Sequence, residues 1–329
     1  QSYLDMFEIS FDQLIGNYPR LLFNEMDVEL HKKLEQFNQF NQAYTMEIQA
    51  MTYLKKPIWI ELINTPILDN NGDTIQVEVV NNITERKIKE QIIETQNEDI
   101  ISSITYAKRI QDALLTHDDF IISLPIQTAL IYKPTDIIGG DFYWFERIED
   151  KVIIAIGDCT GHGVPGALMT SLGINGLINA VTEQRMTDPA TILTYIDEYV
   201  FGLLSYSDEQ VSDGMDLAIV AIDLKTKSLT FSGAGRPLIY IKNGELTKIN
   251  GSRKSIASRT LDVTFENHTL EATDGCTFHI FSDGMTDQFG GSNHKRIGSN
   301  QFYELLLATN SLPLEAQKNT LIDFFQDWD

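Results

Sequence analysis

Apolar and polar positions divide the chain into three stretches with different periods. In residues 1–84, short runs alternate with period two, which predicts strands. Asp69-Asn70-Asn71-Gly72-Asp73 joins two of these runs and predicts a hairpin turn. We expect an α/β module that ends in an antiparallel meander. Its predicted elements are a helix at Asp27–Asn41 and strands at Tyr44–Met51, Ile58–Ile67 and Thr74–Asn81.

Residues 85–118 contain neither Gly nor Pro, and their apolar positions recur at helical spacing. Ile93, Ile100, Ala107 and Leu114 are seven residues apart, the spacing of a coiled-coil seam. The second seam of each heptad is polar in places. Two interpretations therefore remain: a helix that pairs with a second copy, or a single amphipathic helix that lies on one domain.

Residues 119–329 contain strand-like runs separated by glycine turns. Short turns such as Lys225-Thr226-Lys227 favour antiparallel sheets with helices outside them, and so an α+β fold. The predicted strands are Thr128–Tyr132, Phe142–Arg147, Val152–Gly157, Leu217–Asp223, Ser228–Ser232, Leu238–Lys242, Glu266–Glu271 and Thr277–Phe281. The predicted helices are Val164–Val181, Pro189–Leu204, Asn300–Thr309 and Pro313–Trp328.

Composition narrows the choice of partners. The 329 residues carry a formal net charge of −22, which disfavours nucleic acid and anionic lipid as ligands. The two cysteines, Cys159 and Cys276, form no disulfide framework, which fits a reducing cytoplasm. No apolar run reaches the roughly 18 residues of a membrane span. Because the sequence begins Gln-Ser-Tyr-Leu without an initiator Met, we expect a piece of a longer protein.

Candidate chemistry lies where an Asp stands beside glycine at the edge of a strand. Asp141, Asp158 and Asp283 have this setting, and Asp213 precedes another apolar run. Any one of them alone is most simply a solvated turn. Several carboxylates at one rim of a sheet, however, repel each other unless a cation joins them. Ligands that are all oxygen select hard ions such as Mg²⁺ or Mn²⁺.

The segment Gly161–Ala167 is a glycine loop that opens a helix, with Pro165 in the first turn. Free backbone N–H groups and the helix dipole at such an end favour a bound phosphate, for which Gly161 and Gly163 are candidates. His162 is a candidate general acid or orienting group. Its alternative role is that of a loop histidine that fixes the backbone.

Four motifs in the last stretch resemble the bacterial SpoIIE-like branch of the metal-dependent type 2C serine/threonine phosphatases. They are Gly-Gly-Asp-Phe-Tyr-Trp at 139–144, Asp-Cys-Thr-Gly-His-Gly-Val-Pro-Gly-Ala at 158–167, Asp-Gly-Met-Asp at 213–216 and Phe-Ser-Asp-Gly-Met-Thr-Asp-Gln-Phe-Gly-Gly at 281–291. The resemblance implies an α/β/β/α sandwich with two Mn²⁺ or Mg²⁺ ions at one end of paired antiparallel sheets. A metal-activated water would hydrolyse the phosphoester without a Cys or Ser nucleophile.

The resemblance also implies residue roles. The metal ligands would be Asp141, Asp158, Asp283 and the backbone carbonyl of Cys159, with Asp213 holding a third ion. Asp158 and His162 would act in catalysis, and Gly284 would join Gly161 and Gly163 in binding phosphate. Family members continue into a further strand that carries another metal-binding Asp. This sequence stops at Asp327-Trp328-Asp329, so we expect the domain to lack its last strand and to bind metal weakly.

The first stretch resembles a PAS domain that lacks its first strands. The resemblance rests on Phe11-Asp12-Gln13-Leu14-Ile15-Gly16, Pro57-Ile58-Trp59-Ile60-Glu61, Asp69-Asn70-Asn71-Gly72 and Asn82-Ile83-Thr84-Glu85-Arg86-Lys87. It implies a sensor at 1–84, a helical linker at 85–118 and a phosphatase domain at 119–329. The sensor would control the phosphatase through the linker in a homodimer. The substrate would be a phosphorylated protein, for which an anti-sigma-factor antagonist is one candidate.

Two other functions remain open. A degenerate phosphatase fold could act as a docking module without turnover, although Asp141, Asp158 and Asp283 are all present. A different metallohydrolase, such as a nuclease or a cyclic-nucleotide phosphodiesterase, is disfavoured by the charge of −22 and by the lack of a basic track.

Overall fold

The computed structural model describes residues 3–14, 43–205, 213–258, 263–291 and 294–328. The chain forms two compact units, Gln1–Ile101 and Ser102–Asp329. The predicted helix at Asp27–Asn41 lies outside the described residues.

The first unit contains an antiparallel meander in the order β1-β2-β3, as the alternating pattern predicts. The side chain of Asp69 shapes the predicted hairpin turn, because its Oδ1 accepts hydrogen bonds of 2.8 Å from the N–H groups of Asn71 and Asp73. Phe7, Ile60 and Leu62 are buried in its core. The elements are α1 (Tyr3–Phe7), α2 (Phe11–Leu14), β1 (Tyr44–Met51), β2 (Pro57–Leu68) and β3 (Thr74–Asn82).

A single helix, α3, covers Thr84–Leu114 without interruption. Of the predicted seam residues, Ile93 and Ile100 are exposed in the single chain, while Ala107 and Leu114 are half-buried. In the last turns, Gln111 is buried and its amide makes two hydrogen bonds to the backbone of Gly139, at 2.7 Å and 3.2 Å. The end of α3 is thus fixed to the segment that leads into Asp141.

The second unit contains two antiparallel sheets. The larger has the strand order β10-β7-β6-β5-β4, and the smaller has the order β11-β8-β9. Alternation places Leu238 and Tyr240 of β8 in the main core, while Ile239 and Ile241 pack in a second cluster. The strands are β4 (Asp141–Ile148), β5 (Lys151–Cys159), β6 (Met215–Asp223), β7 (Ser228–Ala234), β8 (Leu238–Lys242), β9 (Glu245–Ile249), β10 (His268–Glu271), β11 (Cys276–His279) and the short ladder of β12 (Phe289–Gly290) and β13 (Lys295–Arg296).

Helices cover the outer faces of both sheets, which confirms the α/β/β/α sandwich. Helices α5 and α6 pack on the larger sheet, and side chains of α7 and α8 pack against Ile239 and Ile241 of the smaller one. Asp188 caps α6 by accepting a 2.9 Å hydrogen bond from the N–H of Thr191, and Pro189 opens the helix. The helices are α4 (Asp118–Ser123), α5 (Gly163–Leu177), which continues as a π-helical turn at Ile178–Glu183, α6 (Pro189–Leu204), α7 (Gly298–Thr309) and α8 (Leu314–Trp328).

One predicted strand is wrong. Thr128–Tyr132 is irregular and pairs with none of the described strands. Its residues and those of β11 line the same cleft of about 1590 Å³. An alternating sequence forms a strand only when a neighbouring backbone completes its hydrogen bonds, and no described strand does so here. Conversely, β9 forms although the sequence analysis does not predict it.

The helical stretch Gly163–Glu183 is long and apolar enough to cross a bilayer by length and composition alone. Its most apolar window is 56% buried inside the protein. Met169, Ile174 and Leu177 pack in the main core, as expected for the central helix of a folded domain.

Candidate metal and phosphate site

Three aspartates form a row across neighbouring strands at one rim of the larger sheet. Asp141 of β4 lies directly opposite Asp158 of β5, and Asp158 lies directly opposite Asp216 of β6. Residues opposite each other in an antiparallel pair share a face, with Cβ atoms roughly 5 Å apart. The row therefore brings two predicted ligands, Asp141 and Asp158, together with Asp216.

Asp283 joins the row from a different part of the fold. It begins a single 3₁₀ turn, Asp283–Met285, which follows β11. Ser282, just before it, donates a 2.5 Å hydrogen bond from its hydroxyl to Oδ2 of Asp141. Gly284, just after it, lies against the same carboxylate, since a Cβ atom there would be 3.7 Å from Asp141 Oδ2. The predicted site residues Asp141, Asp283 and Gly284 are thus neighbours in space.

A guanidinium lies among these carboxylates. Arg236, in the turn between β7 and β8, pairs through Nη2 with Asp158, and Nη2 is also 3.3 Å from Oδ2 of Asp283. Its Nε is 3.3 Å from Oδ2 of Asp216 without the alignment of a hydrogen bond. Ser255 completes the cluster by donating a 2.5 Å hydrogen bond to Oδ1 of Asp216. We call Asp141, Asp158, Asp216, Asp283 and Arg236 the rim cluster.

Burial and mutual repulsion dominate the electrostatics of the rim cluster. The pKa of Asp158 is raised from 3.8 to about 7. Burial is the largest cause, the Arg236 guanidinium lowers the pKa, and the carboxylates of Asp141 and Asp283 raise it. The acids thus outnumber the single guanidinium that neutralises them.

The donor set fits a hard divalent cation, since carboxylate and backbone oxygens are what Mg²⁺ and Mn²⁺ prefer. In the described part of the chain, no three His, Cys, Asp or Glu side chains converge closely enough to hold one ion between them. The positive charge in this space is instead the Arg236 guanidinium, which contacts three of the four acids. A cation therefore suits the position electrostatically.

Cys159 follows Asp158 but has no reactive thiol. Its side chain is buried, and its Sγ is 3.8 Å from the hydroxyl of Thr170. Burial raises the pKa of the thiol to about 12, so it stays protonated at neutral pH and cannot act as a thiolate nucleophile. What remains available for the predicted ligand role is its backbone carbonyl.

The loop between β5 and α5 packs against the residue that precedes Asp141. A Cβ atom on Gly140 would come within 2.8 Å of the carbonyl oxygen of Gly161, so the two backbones approach closely. Gly161 and Gly163 have φ of +86° and +64°, which glycine adopts without strain. From α5, the hydroxyl of Thr170 donates a 2.8 Å hydrogen bond to the carbonyl of Gly140. A Cβ atom on Gly166, in the first turn of α5, would come within 3.1 Å of the Cα atom of Gly140, so this turn lies beside the start of β4.

His162 and Asp213 lie outside the rim cluster. The imidazole of His162 is 94% exposed, and its Nδ1 is 3.4 Å from Oδ2 of Asp136. Asp213 is exposed, and its Oδ1 is 3.5 Å from the hydroxyl of Thr160. The general-acid role of His162 and the third-ion role of Asp213 stay predictions.

The sequence analysis missed Asp216, Arg236, Ser255 and Ser282. Asp216 is the second acid of the 213–216 motif, and an apolar run directly follows it. Asp158 and Asp283 were singled out because each directly follows such a run, so a carboxylate at either end of a run is the signal that could have found Asp216. For Arg236 and Ser255 no local pattern gives a signal, since their partners are distant in sequence.

Comparison with known proteins agrees with this geometry. A family model described as Stage II sporulation protein E (SpoIIE) matches residues 148–328. Phosphoserine phosphatase RsbU of Bacillus subtilis (strain 168) is 24% identical over 198 residues, which cover 58% of this chain. The chain spans only 55% of the length of that relative.

Among solved structures, the SiaA-PP2C domain of Pseudomonas aeruginosa is 31% identical with a TM-score of 0.65. The match covers 71% of this chain and 92% of that domain. The family model covers more than half of the 329 residues, and it includes Asp158, Asp216 and Asp283. The chain belongs to the SpoIIE family of PP2C-type, metal-dependent protein phosphatases.

Proposed function

We propose that this protein hydrolyses phosphoserine and phosphothreonine in a partner protein. One observation carries the proposal: Asp141, Asp158 and Asp283, from three separate motifs, meet at one rim of the sandwich. Carboxylates from distant parts of a chain rarely gather without compensation, because like charges at such distances raise each other's pKa. Membership of the SpoIIE family gives this gathering its chemical interpretation.

The proposed metal ligands are the side chains of Asp141, Asp158 and Asp283 and the backbone carbonyl of Cys159. Two Mn²⁺ or Mg²⁺ ions held there, with a third at Asp213, would supply an acidified water and neutralise charge on the phosphoryl group. Ser282 holds the Asp141 carboxylate in place by its hydrogen bond. The free N–H groups in the first turn of α5, with Gly161, Gly163 and Gly284, orient the phosphate. His162, which caps the start of that helix and is exposed, is the proposed general acid for the leaving group.

The test is Mn²⁺-dependent release of phosphate from a phosphoserine protein. Asp158→Asn removes one charge from the centre of the row, and we expect it to lower kcat/KM by at least about 100-fold, on the order of 3 kcal/mol. Asp223→Asn is the matched control, since Asp223 ends β6 at the opposite rim of the same sheet. Equal rates for Asp158→Asn and the wild-type protein would refute the proposal.

A second candidate, a docking module without turnover, is favoured by the position of Arg236 among the acids. If the guanidinium stays there permanently, the site cannot gather cations. Hydrolysis of p-nitrophenyl phosphate that requires Mn²⁺ separates the two functions, because a docking module gives none.

We further propose that the PAS-like unit regulates the phosphatase through α3 in a homodimer located in the cytoplasm. The exposed isoleucines of α3 support a second copy as the partner of this helix, since they have coiled-coil spacing. The hydrogen bonds of Gln111 to Gly139 support coupling, because Gly139 is two residues from Asp141. The substrate is a phosphoprotein, for which an anti-sigma-factor antagonist remains the candidate.

Insertion of one residue within 86–102 tests the coupling. It turns the helix that follows by about 100° relative to what precedes it, so we expect at least a severalfold change in basal phosphatase activity. A four-residue insertion restores the facing direction approximately and serves as the control. Identical activity in all three proteins contradicts regulation through α3.

A further inference from the structure

Arg236 has an unusual position for an arginine in a phosphatase domain of net negative charge. Its side chain is only 12% exposed, although it carries a charge. The groups that compensate it are three carboxylates, those of Asp158, Asp216 and Asp283. Buried charges are normally paired one to one, so a surplus of acid around one guanidinium is costly.

The backbone just before Arg236 is fixed, which leaves the side chain as the part that can move. Gly235 has φ of +72°, and a Cβ atom there would come within 2.1 Å of the Asp216 carboxylate. The N–H of Gly235 donates a 2.8 Å hydrogen bond to the carbonyl of Ser252. The guanidinium makes one close hydrogen-bonded pair, with Asp158. Its contacts with Asp216 and Asp283 are 3.3 Å long, and its Nε lacks an aligned hydrogen bond.

A guanidinium and a divalent ion cannot share this space. Asp158 and Asp283 are proposed metal ligands, and Nη2 of Arg236 contacts both. At separations near 4 Å, two positive charges repel each other strongly, even at the effective dielectric of a protein surface. Occupation of the carboxylates by metal therefore requires the side chain of Arg236 to leave them.

On the basis of the proposed function, we propose that Arg236 is a tethered competitor of the metal ions. In the metal-free protein its guanidinium neutralises the rim cluster, and divalent ions bind by displacing it. The competition lowers the affinity of the site for metal and keeps the metal-free domain folded. Arg236 is thus a residue that sets the metal affinity, in addition to the residues that bind the ions.

Titration calorimetry with Mn²⁺ at pH 8 tests the competition. Arg236→Met removes the competing charge but keeps a long side chain, and we expect Mn²⁺ to bind roughly tenfold more tightly. Arg236→Lys retains the charge and should stay within about threefold of wild type. Lys254→Met is the matched control: Lys254 forms an equally buried pair with Asp197, whose contacts do not include the rim cluster, and its loss should leave the affinity unchanged.

Thermal unfolding gives a readout that does not depend on activity. In EDTA, Arg236→Met should melt several degrees below wild type, because the carboxylates are left without their counter-charge. In saturating Mn²⁺ the two proteins should melt together, since the ions then supply that charge. Lys254→Met should melt below wild type in both conditions.

Unchanged or weaker Mn²⁺ binding by Arg236→Met would overturn the competition, as would an equal loss of stability with and without Mn²⁺. If the wild-type protein binds Mn²⁺ and releases phosphate while the Arg236 variants fail these expectations, the inference alone is wrong. If the wild-type protein neither binds Mn²⁺ nor hydrolyses phosphoserine, the proposed function falls with it.

Discussion

Two ion pairs in the second unit are buried to a similar extent but differ in charge balance. Lys254 and Asp197 are 17% and 16% exposed, and their charged atoms are 2.6 Å apart. Asp197 also accepts a 2.7 Å hydrogen bond from the N–H of Ala257, so each charge is balanced. Arg236 and Asp158 are 12% and 16% exposed, but further acids contact the same guanidinium.

Charge balance therefore distinguishes the Lys254–Asp197 pair, which is structural, from the rim cluster, which is functional. A balanced buried pair tolerates its own desolvation because every group has a partner. In the rim cluster the surplus negative charge is a cost to the metal-free fold, seen in the raised pKa of Asp158. Charges that a fold does not need for its stability indicate a ligand of opposite sign.

Removing one partner of the balanced pair should have the largest effect on stability. Asp197→Ala leaves Lys254 buried without a counter-charge, and we expect the free energy of unfolding to fall by about 3 kcal/mol. Urea denaturation monitored by circular dichroism measures it. Glu198→Ala, at the exposed neighbouring position on α6, should change stability by less than about 0.5 kcal/mol.

One histidine, His279, also makes the stability of this unit depend on pH, independently of the two ion pairs. Burial lowers the pKa of His279 from 6.5 to about 4, so the unfolded chain binds a proton first as the pH falls. Its contribution to the free energy of unfolding is therefore intact above pH 6.5 and declines between pH 6.5 and pH 4.

His279→Phe should remove about 2 kcal/mol of the stability difference between pH 7 and pH 5. Urea denaturation at the two pH values measures that difference. His117→Phe changes an exposed histidine and serves as the control. If both variants retain the full pH dependence of the wild-type protein, His279 is not the group responsible.

The smallest expected effect is a gain of stability, from the substitution Asp158→Asn. The folded-state pKa of Asp158, about 7, exceeds its model value of 3.8, so the ionised carboxylate costs stability that is complete above pH 7. Asp158→Asn should therefore stabilise the metal-free protein at pH 8 by about 1 kcal/mol, since Arg236 keeps other partners. Denaturation in EDTA measures it, with Asp197→Asn as a comparison that should destabilise. Destabilisation by both would make the two ion pairs equivalent.

Local patterns predicted much of the fold. Alternation predicted β1 at Tyr44–Met51 and helical patterning predicted α6 at Pro189–Leu204, and the structure has both elements with these bounds. Thr128–Tyr132 has the same kind of pattern but stays irregular, because a strand also needs a partner that its own sequence does not encode.

The candidate site was predictable in part for a related reason. Asp141 begins an apolar run, Asp158 and Asp283 follow one, and each stands beside glycine, so the strand termini indicate where they lie. Arg236 is 78 residues from Asp158, and only the packing of β7 and β8 on the rest of the fold brings them together. A lone arginine in a turn carries no signal of the acids that surround it.

The row of Asp141, Asp158 and Asp216 has a consequence for how the larger sheet can be altered. Like charges directly opposite each other disfavour the native register, so these residues cannot be what selects it. Selection must come from the buried residues farther along the strands, such as Val152 opposite Ile222. The buried residues therefore set the strand register at one end of the sheet, and the acids set the chemistry at the other end. The acids of the rim can then be replaced by other ligating residues without a change in the register.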